Sequence, residues 1–442
     1  MSTKYVVMSA DALLGEDIDL LRTTETWQKY LGKASGIRCV KSIYPTITFP
    51  CHATMLTGVY PDKHGVVSNL QFYPGRVKAP WRWYRSFNKW PTDLFFAAKE
   101  KGLSTAAVFW PGTGKHPAID YLINECWPTS TDINKQFGYE DFLETFTENG
   151  SSHEVRQIIE RHLPKYDIMQ HPAREEFVMD CTIDIIRTFR PDVLFLHPSN
   201  IDSARHKYGL YNDKVDEEVL KTASYIERIF TALLETVDLD EINFVLTSDH
   251  GHLNIDRIIS LNLLFKEAGW IKTDEEGRWL SWEACAISGG TSACVYADPN
   301  LTPDRQEELE EFVYSLQNPE QYGISLVLTA PEAQENFHFA GDFQYVLETD
   351  GHSSFSDSVS DPLVHTFDVT DYRYGHATHG HMPHKGPSPV FYGVGPAFKQ
   401  EVLLDTGKLI DIAPTLAQML GVDLGETDGK VVEEILDLPK SH

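Results

Sequence analysis

The chain has no uncharged apolar run approaching the roughly 18 residues that a membrane span requires, so no membrane partner is expected. Its first apolar run, Tyr5–Ala10, stops at Asp11 after six residues, too short for a secretory leader's core and without a small-residue cleavage site. Cysteine is sparse: Cys39, Cys51, Cys126, Cys181, Cys285 and Cys294 are scattered without close spacing, which suggests neither a disulfide framework nor a zinc ribbon. A reducing, cytoplasmic location is the expectation. Basic residues are also scarce, 38 Lys and Arg against 65 Asp and Glu, for a formal net charge of −27. That excludes a surface that coats polymeric nucleic acid, because such binding neutralises phosphates with Lys and Arg. The same charge repels small phosphate esters at long range, so an anion site here must carry its own concentrated positive charge, and metal ions are the direct way to supply it.

What is present is a globular composition. Of 442 residues, 42% are hydrophobic and 12% aromatic, enough for a large core. Tyr5–Ala10, Thr105–Trp110, Asp192–His197, Asn243–Thr247 and Val390–Val394 are short, continuous apolar runs, the pattern of strands buried on both faces of a parallel sheet. Between them lie helical periodicities. Val215, Val219, Ala223, Ile226, Ile229, Leu233 and Val237 line one face of a helix over Asp213–Val237. Pro91–Lys101 and Asp411–Leu420 read as two more helices, the latter with Asp411 as N-cap and Gly421 as stop. Alternating strand and helix predicts an α/β fold: a mostly parallel central sheet flanked by helices, with ligands at the carboxyl ends of the strands. Residues 285–370 break the alternation and read as a small α+β cap inserted between residues 1–284 and 371–442, which form the catalytic domain. Trp127–Lys165, polar and weakly periodic, reads as a second small insertion, and Ser353–Ser360 as a surface loop.

Acids and histidines sit where these strands end. Asp11 follows the first run, Asp202 and His206 follow the run ending at His197, and Asp249 and His250 close the run that starts at Asn243. His376, His379, His381 and His384 precede Val390. Singly, each is more simply a helix cap, a turn former or a solvated loop residue. Jointly, carboxylates and imidazoles gathered at one sheet edge are a ligand set for divalent metal, zinc first, with manganese or iron also accommodated. By their own local pattern His52, His64 and His252 read as structural.

The segment from Tyr44 to Asn69, with Thr48-Phe-Pro, Tyr60-Pro-Asp-Lys-His-Gly and Asn69, resembles the nucleophile segment of the nucleotide pyrophosphatase/phosphodiesterases of the alkaline phosphatase superfamily. Trp110-Pro-Gly, Asp202 with His206, Ser248-Asp-His-Gly, Thr378-His-Gly and Asp411-Ile-Ala-Pro-Thr-Leu continue the match over most of the chain. The resemblance implies an alkaline-phosphatase-like fold and two divalent ions, one held by Asp11, Thr48, Asp249 and His250, the other by Asp202, His206 and His379. It implies Thr48 as the nucleophile, Asn69 as a hydrogen-bond donor to the phosphoryl group, and a small phosphorylated substrate. Thr46 is the local competitor for nucleophile. Phe72, Tyr73, Trp81, Trp83 and Trp110 are available to stack on a base, with Trp110 the substrate-binding expectation; each could equally be core. Nothing in the pattern fixes an oligomeric state.

Sister activities fit less well. Cys51-His-Ala-Thr lacks the x-Pro-x-Arg context of a sulfatase formylglycine, and a threonine with an asparagine argues against a phosphoglycerate mutase. Phosphonoacetate-type hydrolases share the threonine, the asparagine and both metal sites, so a phosphonate substrate is the enzymatic alternative, followed by a phosphomonoesterase. A catalytically idle protein that binds a phosphorylated ligand is the non-enzyme alternative, opposed by the intact nucleophile and ligand set.

Overall fold

Eight strands pair into one sheet: β1 (Lys4–Ser9), β2 (Ser35–Lys41), β3 (Thr105–Val108), β4 (Tyr121–Ile123), β5 (Val193–Leu196), β6 (Ile242–Thr247), β7 (Phe391–Val394) and β8 (Leu403–Lys408), in the order β8-β2-β7-β6-β1-β5-β3-β4. The computed structural model describes residues 3–73, 81–82, 92–129, 135–360, 362–369 and 375–437. Only β7 runs against its neighbours, β6 and β2; the remaining pairs are parallel. Val6, Val7 and Met8 of β1, and every residue of β5 and β6, are buried, because helices cover both faces; this is why these runs are continuous rather than alternating. In register, Val7 lies beside Phe195 and Val245, which brings the carboxyl ends of β1, β5 and β6 side by side. Asp11, His197 and Asp249 therefore emerge at one edge of the sheet, where a doubly wound fold collects its ligands.

The helices follow the apolar periodicity with shifted ends. The long helix covers Asp213–Leu233, with Asn212 accepting from the Lys214 N–H as its cap, and Val237 lies buried beyond its end. The helix expected over Pro91–Lys101 spans Leu94–Glu100, capped by Asp93, which accepts from the N–H groups of Phe95 and Phe96; Pro91, like Trp83, lies outside the described residues. The helix Ile412–Leu420 does follow Asp411, but that carboxylate accepts from the Lys430 N–H at 2.9 Å instead of capping it.

The cap is a four-stranded antiparallel sheet, Ala284–Ser288, Ser292–Ala297, Tyr345–Thr349 and Ile324–Thr329 in spatial order, with helix Pro303–Ser315. It has its own core, and that core starts before residue 285, since Leu261, Phe265, Trp270 and Ile271 pack into it. Two expectations fail. Ser353–Ser356 is a buried strand pairing in parallel with Arg257–Ser260, with the Ser354 hydroxyl donating to the Gly290 carbonyl and the Ser353 hydroxyl to Asp350. Within 127–165, helices Tyr139–Glu148 and His153–His162 send Phe146, Val155, Ile158 and Ile159 into the main core, so this segment packs as part of the main body; its sparse apolar stripe concealed that.

Candidate active site

Helix α1 (Thr48–Thr57) begins where the extended residue Ile47 turns into it, and Thr48 is its first helical residue. The Thr48 hydroxyl thus lies at the positive end of the helix, where a developing oxyanion is favoured. Its Oγ1 is 3.1 Å from His250 Nε2. Thr46 is excluded as the reactive hydroxyl by geometry: it is buried, donates to the His381 carbonyl at 2.9 Å and accepts from the Gly380 N–H. Asn69 closes the same corner. Its Oδ1 accepts from the Phe49 N–H in the first helical turn at 2.8 Å, which leaves the amide NH2 as the half directed elsewhere.

Two groups of ligand atoms flank Thr48. Asp11, Asp249 and His250 form the first, with His250 Nε2 3.4 Å from Asp11 Oδ1 and 3.2 Å from Asp249 Oδ2. Asp202, His206, His252 and His379 form the second. Asp202 and His206 stand one turn apart on helix α2 (Asn200–Tyr208), and the His206 Nδ1–H donates to the Ala377 carbonyl at 2.7 Å, which fixes the tautomer that keeps Nε2 available as a ligand. The groups adjoin: the rings of His250 and His379 stack with centroids 4.0 Å apart. One residue makes this possible. Gly251 presses against Pro387, whose carbonyl oxygen would lie 2.1 Å from any added Cβ, and so the segment turns tightly enough for His250 to serve one group and His252 the other.

The electrostatics favour cations at both positions. Burial, then the Asp202 charge, raises Asp11 well above the usual carboxylate range, and burial with Asp11 does the same to Asp249. Burial would also raise Asp202, but the imidazoles of His206 and His252 overcome it and hold that carboxyl well below the ordinary range. Burial, then the His206 imidazole, pushes His252 down to about 3; burial likewise drives His250 and His379 well below the usual histidine value, so these rings are neutral. Asp11 Oδ1 and Asp249 Oδ2 accept no hydrogen bond among the described residues. Buried acceptors left so are costly, and a divalent ion satisfies them. Neutral imidazoles facing unsatisfied carboxylates are the donor set that suits such an ion.

A cleft of about 700 Å³ opens over Thr48, Asn69, Asp11, Asp202 and His379. Phe49 and Trp81, with ring centroids 6.0 Å apart, give part of its wall. Trp127 with the Arg174 guanidinium 4.4 Å above its ring gives another part. Sequence reasoning missed Trp127 and Arg174, for no local pattern marks them. His252, read from its local pattern as structural, meets Asp202 Oδ1 of the second group through Nε2 at 2.7 Å.

The other candidate residues lie outside both ligand groups. Trp110 is wholly buried, edge-on to His52 and Phe195 beneath α1, and does not line the cleft: its apolar ring belongs to the core. Phe72 stacks on Tyr296 inside the cap. His52 is structural, its Nδ1–H donating to the Thr48 carbonyl and its Nε2 meeting Ser9 Oγ. His64 bridges Thr54 and Val66. His381 faces the Met382 carbonyl and joins neither ligand group, and His384 is exposed. Arg205 points away from the cleft, donating to the Ala12 and Leu210 carbonyls and pairing with Asp17 at 2.5 Å.

The chain is 26% identical over 415 residues to human ectonucleotide pyrophosphatase/phosphodiesterase family member 1, covering 88% of this chain and 37% of that protein. It is 26% identical over 254 residues to venom phosphodiesterase 2 of Crotalus adamanteus, covering 55% of this chain and 25% of the relative. The chain therefore spans well under half the length of these relatives. Murine ectonucleotide pyrophosphatase/phosphodiesterase 5 superposes with a TM-score of 0.67 at 17% identity, covering 98% of this chain and 100% of that one; an inactive form of it in complex with AMP gives 0.66, also at 17%, covering 99% and 100%. At that identity the likeness establishes the alkaline-phosphatase-like fold. The family described as Type I phosphodiesterase / nucleotide pyrophosphatase matches residues 5–380, a span that holds Thr48, Asn69 and both ligand groups, and the chain belongs to that family.

Proposed function

We propose that the protein is a metal-dependent hydrolase of phosphodiester or pyrophosphate bonds in small molecules, acting through a phospho-threonine at Thr48. The observation that carries this reading is the placement of the Thr48 hydroxyl at the N-terminus of α1, 3.1 Å from His250 Nε2, with Asn69 fixed beside it by the Phe49 N–H. Asp11, Thr48, Asp249 and His250 would hold one divalent ion, and Asp202, His206 and His379 the other, with zinc best suited to the mixed Asp and His set. When bound, such a pair supplies Lewis-acid charge for the attacking oxygen and the phosphoryl oxygens.

The chain's own residues do the rest. Thr48 Oγ1 attacks phosphorus as the ester or anhydride oxygen leaves, and the helix N-terminus lowers the cost of the charged hydroxyl oxygen. Asn69 donates from Nδ2 to a non-bridging oxygen whose charge grows in the transition state. Water then cleaves the phospho-threonine and regenerates Thr48, so two in-line displacements retain configuration at phosphorus. Phe49 and Trp81 offer aromatic faces to the substrate in the cleft. Arg205 is committed to Ala12, Leu210 and Asp17 and adds no positive charge at the reacting phosphate, while the Arg174 guanidinium in the cleft wall lies over the Trp127 ring. A diester leaves less charge to cover and suits the site better.

The deciding experiment compares kcat/KM of the zinc-loaded protein on p-nitrophenyl thymidine monophosphate and p-nitrophenyl phosphate, with a chelator-treated control. Preference for the diester that disappears with the metal supports the reading. Preference for the monoester, or activity on phosphonoacetate alone, replaces it.

A further inference from the structure

We propose that Arg174, held on the Trp127 ring in the cleft wall, binds a further phosphate on the leaving group, so that the favoured substrates are phosphoanhydrides such as nucleoside triphosphates rather than simple diesters. The inference rests on the phosphodiesterase reading of the site and names its substrate class. The cleft, about 700 Å³, has the size of a small-molecule site and leaves room beyond one reacting phosphate. Arg174 lies in the first turn of helix Ala173–Phe189 and lines that cleft. Its guanidinium sits over the Trp127 ring, 4.4 Å from the centroid, and its Nε donates to the Ile168 carbonyl at 3.0 Å. Trp127 is met edge-on by Phe109, with centroids 5.8 Å apart. The guanidinium is therefore fixed at Nε and across one face, while its two Nη groups meet no acceptor among the described residues. A planar fork held in this way, with its terminal donors open, is preorganised to take a phosphate through two hydrogen bonds.

A clamp that merely pins Trp127 is the simpler account. It explains the ring contact and the Nε bond, but not why the charge is left open while nearby acids take other partners: Glu175 accepts from His171, Glu217 from Lys214 and Glu218 from Asn200. Glu125 is the opposing charge on this wall. It is near enough for the Arg174 charge to favour its carboxylate, yet among the described residues no ion pair joins the two. Lys207 is a second cation exposed on the cleft wall, over the Tyr208 ring and without a carboxylate partner among the described residues. In a chain of net charge −27, two such cations in one cleft single it out as a place for anions. Their position is that of the leaving group. Glu175 accepts from the Ser199 hydroxyl at 3.1 Å, which ties the start of Arg174's helix to the start of α2, the helix of Asp202 and His206. In-line attack by Thr48 expels the leaving oxygen on the side away from its own hydroxyl, toward the ligand group to which Thr48 does not belong. The retained group is left to Phe49 and Trp81, on another part of the wall.

Thymidine 5′-triphosphate and p-nitrophenyl thymidine monophosphate present the same nucleoside and the same reacting phosphate, with pyrophosphate or nitrophenolate as the leaving group. The zinc-loaded wild-type chain is compared on both with Arg174→Gln, whose planar amide can keep the Trp127 contact without charge, and with Arg174→Lys, which restores the charge without the fork. Arg174→Gln is expected to lose about 10- to 100-fold more in kcat/KM on the triphosphate than on the nitrophenyl diester, the worth of a charge-assisted pair, and Arg174→Lys to recover part of that difference. Equal losses on the two substrates make Arg174 a packing residue and overturn the proposal, as does no loss on either. Titration calorimetry with the non-hydrolysable α,β-methylene analogue of thymidine triphosphate separates the subsite from the chemistry. A similar drop in affinity in Arg174→Gln is expected even where neither substrate turns over, an outcome that removes the phosphodiesterase reading and keeps the subsite. Equal affinity of wild type and Arg174→Gln for the analogue overturns the subsite and leaves the phosphodiesterase reading to its own test.

Discussion

The side chain of Asn69 and the backbone of Phe49 are joined by a 2.8 Å hydrogen bond in which the helix N–H donates to Oδ1. The bond sets the orientation of the amide, so the donor half of Asn69 is held in place before substrate arrives. Removing such a preorganised donor costs about 10²–10³ in kcat. Asn69→Ala is expected to lose that much in kcat with a smaller change in KM. Asn69→Asp keeps the acceptor for Phe49 but replaces the donor with a negative charge, and steady-state kinetics should show a larger loss than for alanine. Equal activity in all three proteins would remove Asn69 from the reaction.

Thr48 contributes little to folding, since Ile47 holds the cap position and, among the described residues, the only hydrogen-bond contact of the Thr48 hydroxyl is with His250. Thr48→Ala should therefore leave the melting temperature nearly unchanged while lowering kcat by at least about three orders of magnitude. Rapid acid quench with a radiolabelled diester should trap phosphate on the wild-type chain and none on the variant. Label on the variant, or on Thr46, would refute the assignment.

Trp110 and Trp81 separate packing from recognition. Trp110 lies wholly in the core, so Trp110→Ala is expected to cost ~3–5 kcal/mol of stability in denaturant unfolding. Trp81 lines the cleft beside Phe49, and Trp81→Ala should instead raise KM for an aromatic or nucleoside substrate several-fold at little cost in stability. A KM effect at Trp110 without loss of stability would reverse the two roles.

These cases show what could be read in advance. The strands that carry Asp11, Asp249 and His250 are legible because burial on both faces leaves continuous apolar runs. Thr48 and Asn69 are legible because a local motif encodes a local structure, one helix start and the turn that returns to it. The place of Trp110 is not legible, because whether a ring faces a cleft or a core depends on partners distant in sequence, here Phe195. Ser353–Ser356 failed similarly, since its polar composition suggests a loop and only its pairing with Arg257–Ser260 makes it a strand.

Gly251 should be intolerant of any side chain. A Cβ there would lie 2.1 Å from the Pro387 carbonyl oxygen, and both sit in backbone that cannot yield without moving Asp249, His250 and His252 together. Gly251→Ala is expected to weaken both ions at once in a zinc titration. Loss of one ion alone would mean that the turn serves a single group.

Asp249 offers a test whose sign depends on metal. In the metal-free fold, burial and the nearby Asp11 carboxylate raise its pKa well above the ordinary value, as burial and Asp202 raise that of Asp11. A carboxyl raised in this way binds its proton more tightly when folded than when unfolded, so stability declines as pH climbs from about 4, the unfolded carboxylate value, up through the raised pKa. Asp249→Asn removes one of the two repelling charges. The metal-free variant should melt at a higher temperature than the metal-free parent at neutral and alkaline pH, and the gap should close as the pH is lowered and Asp249 takes up a proton. With zinc the order inverts, because the parent gains the binding energy of the first ion and the variant has lost a ligand for it. Calorimetric scans of both proteins, with and without zinc across this pH range, measure the two differences directly. A variant less stable than the parent in the absence of metal would show that Asp249 is held by hydrogen bonds and is not poised for a cation.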